Sequence, residues 1–327
     1  MSKNRLVEVN YCYFLRRSIN LEIDNQNLSV TTYSQIASNK IRTYLILTFF
    51  VVLIFTFFYL LGQYFGNPKS YFLIGLVVSL AMSLGSYFYS DKLVLAMAGA
   101  KPADKKDFFD YYTAAENMSI AAGLPMPALF VINDTAMNAF ATGRNPKHAV
   151  VAATTGLLVR LDRAEVEGVI AHEISHIKNY DMLVSTIVAV LVGTLVFVAD
   201  WVSRSLWWGS SSDRDRSDNR LGGILFIIFL FITPVLATLI QLAITRRREY
   251  LADATGALLN RNPDALANAL IKISGDSKPL TRASNATAHL YIENPFKTDS
   301  GKKTNFIINL FSTHPPVEER IRLLREM

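Results

Sequence analysis

Cysteine is almost missing: Cys12 is the one cysteine in 327 residues. No intramolecular disulfide can form, so nothing ties the chain to an oxidising compartment. Cys12 reads as a plain small side chain. Charge is scarce as well, at 18% of residues, against about 25% in an ordinary soluble domain. The shortage has a location. Asp, Glu, Lys and Arg are absent from 43–68, 70–90, 182–199 and 221–245. Outside those stretches the 33 basic and 27 acidic residues fall at ordinary soluble density. Repeats are absent, and so is any basic groove interleaved with aromatics, which leaves no reason to expect nucleic acid. A fully soluble protein, a disordered chain and a small disulfide scaffold are all excluded.

What is present is four segments of membrane length, since a helix needs roughly 20 apolar residues to cross the hydrocarbon core. The first, around Tyr44–Leu61, and the second, around Tyr71–Tyr89, are joined by a short turn at Gly66-Asn67-Pro68-Lys69-Ser70 and form a hairpin. The third runs from Met182 to Ala199 and is followed at once by Trp201, Trp207 and Trp208, all the tryptophan in the chain, as in an interfacial belt. The fourth, Leu221–Leu242, carries a kink at Pro234. The third is short, and the alternative for the last pair is a helical hairpin buried in protein. Residues 1–40 lack an apolar core and carry Glu8, Glu22 and Asp24, so a cleaved signal peptide is not expected and the first segment is expected to stay as an anchor.

Lys and Arg give the orientation. Residues 1–42 hold six of them, the first hairpin loop only Lys69, and 91–106 four. This places the N-terminus and everything after residue 90 in the cytoplasm. The loop at 203–220 disagrees, with Arg204, Arg214, Arg216 and Arg220, although four Asp residues offset that charge. The net charge of +6 fits a cytoplasmic face beside anionic lipid.

The soluble parts read as mostly α with a small β-sheet. A helix is expected over Asp104–Ala122, ended by Gly123 and Pro125. Short β runs follow at Ala128–Ile132, Asn138–Thr142 and His148–Ala153, with a turn at Gly143-Arg144-Asn145-Pro146. Asp162 and Glu165 form a capping box that opens a helix to Asn179. Helices continue over Arg246–Asn260, from Asn262-Pro263-Asp264, and over Glu318–Glu326, and 276–305 reads as polar loop.

One motif carries chemistry. His172-Glu173-Ile174-Ser175-His176 is an H-E-x-x-H string, and residues four apart share a helix face. Both imidazoles can reach one metal ion, with Glu173 beside them as the base that takes a proton from water and passes it to the leaving amine. Zinc in such a site polarises the scissile carbonyl and draws the pKa of water towards neutrality. The helix is too polar for the bilayer, which argues against an intramembrane protease. A catalytic zinc wants a third protein ligand. Glu249, in Arg248-Glu249-Tyr250-Leu251-Ala252-Asp253, is the candidate, and two crossings between His176 and Glu249 return the chain to the same side. The plainer reading of Glu249 is a charge paired with Arg246–Arg248. Asp253, one turn on, is placed to fix the tautomer of a ligating His, expected to be His172. The ligand types favour Zn²⁺, one per chain.

These motifs, in this order, resemble the HtpX family of membrane zinc metalloproteases, relatives of the eukaryotic CAAX prenyl proteases. The resemblance runs from about Thr31. It includes Tyr33–Lys40, Asn138-Ala139-Phe140-Ala141-Thr142-Gly143, Ala171–Ile177 with Asp181, Arg248–Asp253, and Ser312-Thr313-His314-Pro315-Pro316 with Glu319-Arg320-Ile321. It implies a multi-pass protein of the bacterial plasma membrane, with both termini and a gluzincin-like domain in the cytoplasm. It implies Zn²⁺ held by His172, His176 and Glu249, Glu173 as base, and hydrolysis of misfolded or damaged membrane proteins under stress. Residues 1–30 precede the usual family start.

The organisation that follows has five parts. Residues 1–40 form a cytoplasmic N-terminal segment and 41–90 a first transmembrane hairpin. The first part of the catalytic domain spans 91–181. A second transmembrane or membrane-associated hairpin spans 182–243, and the second part of the catalytic domain, with the third ligand, spans 244–327. In relatives a His in the motif of His314 is thought to stabilise the tetrahedral oxyanion, a use suited to a positioned donor; the alternative is a structural His capping the last helix. Asn138, Ala139, Phe140 and Ala141 read either as an edge strand that pairs with extended substrate or as an ordinary sheet edge. Asp181 reads either as orienting a ligand or as ending the motif helix. His148 and His289 have no partner motif. A processing peptidase acting on lipidated or precursor proteins uses the same chemistry and stays open, as does the oligomeric state. A non-enzymatic scaffold or transporter is disfavoured, because the four segments hold no Asp, Glu, Lys, Arg or His.

Overall fold

The computed structural model describes residues 32–64, 66–191, 193, 248–284, 287–296 and 315–327. His314, the three tryptophans, Pro234, the fourth apolar segment and residues 1–30 lie outside the described residues.

Two long apolar helices come first. Helix α1 (Thr32–Tyr64) and α2 (Pro68–Ala98) run past the limits expected from hydropathy alone, and 40/41 and 90/91 fall inside them. Both are long and apolar enough to cross a membrane. They form a hairpin. Asn67 caps α2 by accepting from the Ser70 amide, and Pro68 occupies the first turn, where its missing N–H costs nothing. The seam uses small residues: Gly75, Ser79, Ser83, Ser86 and Ser90 of α2 are buried, one turn apart. A Cβ on Gly75 would lie 2.6 Å from Phe58 Cβ, so the bulk of Phe58 sets the need for glycine there. Leu45, Phe49, Val52, Leu73, Val77 and Leu84 face outward. That is more exposed apolar surface than water tolerates, and lipid is the medium that suits it.

The last two turns of α2 leave the hairpin. Val94, Leu95 and Ala98 pack with Ile132, Phe140, Val150 and Ala152 of a four-stranded sheet. Its strands are β1 (Lys101–Pro102), β2 (Ala128–Ile132), β3 (Ala139–Gly143) and β4 (Ala149–Thr154), in the order β1-β2-β4-β3. β2 and β4 are parallel, and the outer pairs are antiparallel. The opposite sheet face carries α3 (Phe109–Ala122) and α5 (Arg163–Asn179), which reach the sheet through Tyr111, Ala115, Val169 and Ile170. Between them lies α4 (Thr155–Arg160), capped by Thr154.

Helix α5 is buried along most of its length although its mean composition is not apolar, because its polar residues face the site. Both hydrogen bonds of the capping box are made, Glu165 N–H to Asp162 Oδ1 and Asp162 N–H to Glu165 Oε2, each 2.9 Å. It ends at Tyr180, which adopts the left-handed conformation at φ 61°. The chain then turns directly into α6 (Asp181–Leu191). Leu183, Ile187 and Leu191 pack on Phe50 and Ile54 of α1. The described start of the third apolar segment is therefore buried in protein. Helix α7 covers 248–260. Helix α8 (Pro263–Gly275), capped by Asn262, and α9 (Val317–Arg325) close the core against α5.

Three details differ from the sequence expectation. Residues 104–108 form a turn, so the helix expected from Asp104 starts at Phe109. The strands expected from Asn138 and His148 each begin one residue later. The segment read as polar loop buries Leu280, Leu290, Tyr291 and Ile292, and Tyr291 packs edge-on against Phe140 at 5.0 Å.

Candidate metal centre

Two helices bring the three candidate ligands together. His172 and His176 lie one turn apart on α5, and Glu249 sits in the first described turn of α7. A Cβ on Gly256 would lie 3.0 Å from the His172 amide nitrogen, so glycine there lets α7 lie against the motif helix. The two Nε2 atoms face each other at 3.1 Å. Glu249 Oε2 is 3.7 Å from His172 Nε2, and Oε1 is 3.5 Å from His176 Nε2. Tetrahedral ligands at about 2.0–2.1 Å from one ion stand roughly 3.3–3.4 Å apart. The observed spacings bracket that value.

The other ring nitrogens are held by carboxylates. His172 Nδ1 is 2.9 Å from Asp253 Oδ1, and His176 Nδ1 is 3.2 Å from Asp181 Oδ2. A carboxylate at Nδ1 keeps the proton there and leaves Nε2 as the lone-pair nitrogen, which is how ligating imidazoles are oriented. Asp253 is itself gripped by Arg320 of α9 in a two-pronged pair, both contacts 2.8 Å. Arg320 Nη1 also lies 3.6 Å from Glu249 Oε2.

Charge gives an independent test of what the site fits. Among the described residues, Glu173, Asp181, Glu249 and Asp253 are buried around it together with Arg248 and Arg320. With neutral imidazoles these described residues set four carboxylates against two guanidiniums. Buried charge without compensation is costly. A divalent cation between the three ligand atoms supplies the balance, and among the described residues the donor set of two imidazoles and a carboxylate suits one.

The titratable groups respond to this crowding. Burial pushes the Glu173 carboxyl up, to about 7; His176 and the Ala141 N–H pull the other way. Burial lowers His176, but Asp181, Glu249 and Glu173 outweigh it and raise it to about 9. His172 ends below its usual value, because burial outweighs the Asp253 hydrogen bond. Burial would raise Asp253, yet Arg320 and His172 hold it below the usual carboxylate range.

The edge-strand candidates divide. The Asn138 amide is spent on the backbone of Glu293, and its own backbone pairs with Thr154. The Ala139 carbonyl accepts from Ile292 N–H at 2.9 Å. Phe140 is fully buried. Asn138, Ala139 and Phe140 are thus engaged by the chain itself. Ala141 borders the cleft formed by Glu173, His176, Glu249, His289 and Leu290. His148 is exposed on a turn, bonded to Asn145. His289, which the sequence offered no reason to choose, lies at the cleft with Nε2 donating to the Ser185 carbonyl at 2.9 Å. Arg320 was also missed as a site residue. Its signal was there: it shares a face with Val317, Ile321 and Leu324 on an otherwise amphipathic helix, a buried arginine that needs acidic partners.

The pattern described as "Peptidase family M48" matches residues 110–327. The chain is 47% identical to the "Protease HtpX homolog" of Tropheryma whipplei (strain Twist), over 90% of this chain and 98% of that protein. It is 43% identical to the protein of that name from Dictyoglomus thermophilum, over 91% and 95%. The one from Thermococcus sibiricus is 42% identical over 88% and 95%. The "Crystal Structure of S. mikatae Ste24p" aligns with a TM-score of 0.49 at 17% identity, over 88% of this chain and 66% of that one.

Proposed function

The chain belongs to peptidase family M48 and is a metalloprotease, and from that premise we propose that it is a zinc-dependent membrane endoprotease acting on misfolded or damaged membrane proteins. The observation that carries the site assignment is the convergence of His172 Nε2, His176 Nε2 and Glu249 on one point, within a cluster of buried carboxylates. These three would hold Zn²⁺. When bound, the ion supplies Lewis acidity, polarising a scissile carbonyl and making water more acidic.

The residues of the chain do the rest. Glu173 follows His172 directly and lines the cleft beside Ala141, His176 and Glu249. It takes the proton of the attacking water and delivers it to the departing amine. Asp253 and Asp181 hold the imidazoles in their working tautomers. Arg320 fixes Asp253 and lowers the free energy of the buried carboxylates. Ala141 offers the main chain at the cleft to an extended substrate, and His314 is assigned to the oxyanion. Main-chain pairing reads shape more than sequence, as a quality-control enzyme requires. We place the domain in the cytoplasm, with α1 and α2 as the first hairpin, 182–243 as the second, and the halves 91–181 and 244–327 forming one catalytic unit.

The test is cleavage of an unfolded reporter by detergent-purified protein, wild type against Glu173→Gln, with bound zinc measured in both. Loss of cleavage by about 10²–10⁴-fold with zinc retained is expected. Equal cleavage in both overturns the role of Glu173. Zinc absent from wild type, or retained equally by His172→Ala, overturns the ligand assignment.

A further inference from the structure

We propose that Asn39, on the first membrane-length helix, is a positioning residue for the metal centre: its side-chain amide fixes Asp181, which orients His176. The inference rests on the reading of His176 as a metal ligand.

Asn39 is completely buried, near the start of a helix whose other polar groups mostly face outward. A side-chain amide has two N–H donors. Both are used, and both cross to the end of the motif helix. One reaches the Asn179 carbonyl oxygen at 2.8 Å, and the other reaches Asp181 Oδ1 at 2.7 Å. The second oxygen of Asp181 then takes His176 Nδ1 at 3.2 Å. The path from membrane helix to ligand is therefore two hydrogen bonds long, with the carboxylate in the middle.

The chain needs fixing at this point. Between Asn179 and Asp181 stands Tyr180 at φ 61°, a conformation that disfavours a residue with a Cβ by roughly 1–2 kcal/mol. Arg248 Nη1 approaches Asp181 Oδ1 to 3.8 Å, so the shorter contact, at 2.7 Å, comes from α1. α1 holds the turn from both sides, with Asn39 on the flanking polar groups and Lys40 Nζ 4.6 Å above the Tyr180 ring. The chemistry is specific. Aspartate cannot donate and would repel Asp181. Leucine fills the volume without donors. An amide, with two N–H donors, spans a carbonyl and a carboxylate together. The membrane hairpin is thereby part of the catalytic centre as well as its anchor.

The experiment uses the full chain in detergent. Zn²⁺ affinity is measured by competition with a chromogenic chelator, and the visible absorption of the Co²⁺-loaded protein reports ligand geometry. Asn39→Leu should weaken zinc binding about tenfold, the lower end of what loss of a ligand-orienting partner costs, and shift the Co²⁺ bands. Asn39→Gln, which keeps the donors, should recover part of the loss. In an Asp181→Ala background, Asn39→Leu should add nothing further, because the path is already cut. Asn39→Ala serves if leucine prevents folding. An Asn39→Leu protein that melts earlier but binds zinc and Co²⁺ as wild type does would overturn the proposal, leaving Asn39 a structural clamp. Full additivity with Asp181→Ala would also overturn it. His176→Ala is the separate control: if it keeps wild-type affinity, the ligand assignment fails rather than the role of Asn39.

Discussion

The hairpin and the metal centre pack equally deep contacts by opposite rules. In the α1–α2 seam the buried positions of α2 carry Gly75, Ser79, Ser83, Ser86 and Ser90, and what matters is that they are small. Their outer neighbours are apolar and interchangeable, since lipid discriminates little between Leu, Val and Phe. In the centre, five buried charges (Asp181, Arg248, Glu249, Asp253 and Arg320) and two imidazoles each meet a named partner at hydrogen-bond or ion-pair distance. There, size is secondary and charge decides. The difference teaches where substitutions should be tolerated: the seam is a spacing constraint, the centre an electrostatic one.

The largest effect is expected from removing charge while keeping volume in the centre. Arg320→Met leaves Asp253 and Glu249 buried without their guanidinium, a change that typically costs about 3–5 kcal/mol. Thermal unfolding of the metal-free protein should show it, and saturating zinc should recover part of the loss, because the cation takes over some of the balance. A shift as small as that of an apolar swap would mean the centre is not governed by charge, and the contrast with the hairpin would collapse.

Much of this was legible beforehand, and the reasons divide along the same line. The capping box at Asp162 and Glu165, the His172–His176 spacing on α5 and the Glu249–Asp253 spacing on α7 are local or periodic, so sequence spacing alone locates them. Arg320, His289 and Asn39 come from 67, 36 and 214 residues away from Asp253, Asp253 and Asp253 respectively, and no periodic rule links them. Asn39 looked like a polar residue just before an apolar run. Only the fold shows that the helix starts seven residues earlier, at Thr32, and that the amide faces inward. The burial of 288–292 was hidden for a similar reason: its apolar residues are spaced by contact with Phe140 and the sheet rather than by a helix or strand period.

Next in size is a steric test at the centre. Gly256→Ala places a Cβ 3.0–3.1 Å from the His172 backbone, so α7 must move off α5. Overpacking of this kind costs about 1–3 kcal/mol. Because Glu249 rides on α7, zinc affinity should fall together with stability. Stability loss with unchanged affinity would show that the ligand geometry absorbs the shift.

A third prediction uses acid. Asp276 is buried, which raises its carboxyl, but Arg160 at 2.7 Å and the Met137 N–H at 2.8 Å outweigh burial and hold it below its usual range. The sign follows: its stabilisation is complete above the unfolded value, about 3.9, and is lost as pH falls through the lower folded value. Below pH 4 the wild-type melting temperature should drop more steeply than that of Asp276→Asn, which is less stable near neutral pH. Parallel curves would remove Asp276 from the account.

The smallest effect is expected in the seam. Ser83 is buried between α1 and α2, and its Oγ has no hydrogen-bond partner among the described residues. Ser86 Oγ, one turn on, donates to the Ser83 carbonyl at 2.9 Å. If the seam needs only small side chains, Ser83→Ala removes an unpaired hydroxyl and should leave the melting temperature within the equivalent of about 0.5 kcal/mol, or raise it. Ser83→Leu also removes the hydroxyl but forces the helices apart, and it should cost several times more. If alanine instead costs as much as leucine, the hydroxyl itself binds across the membrane helices. The hairpin would then obey the same rule of paired polar groups as the centre.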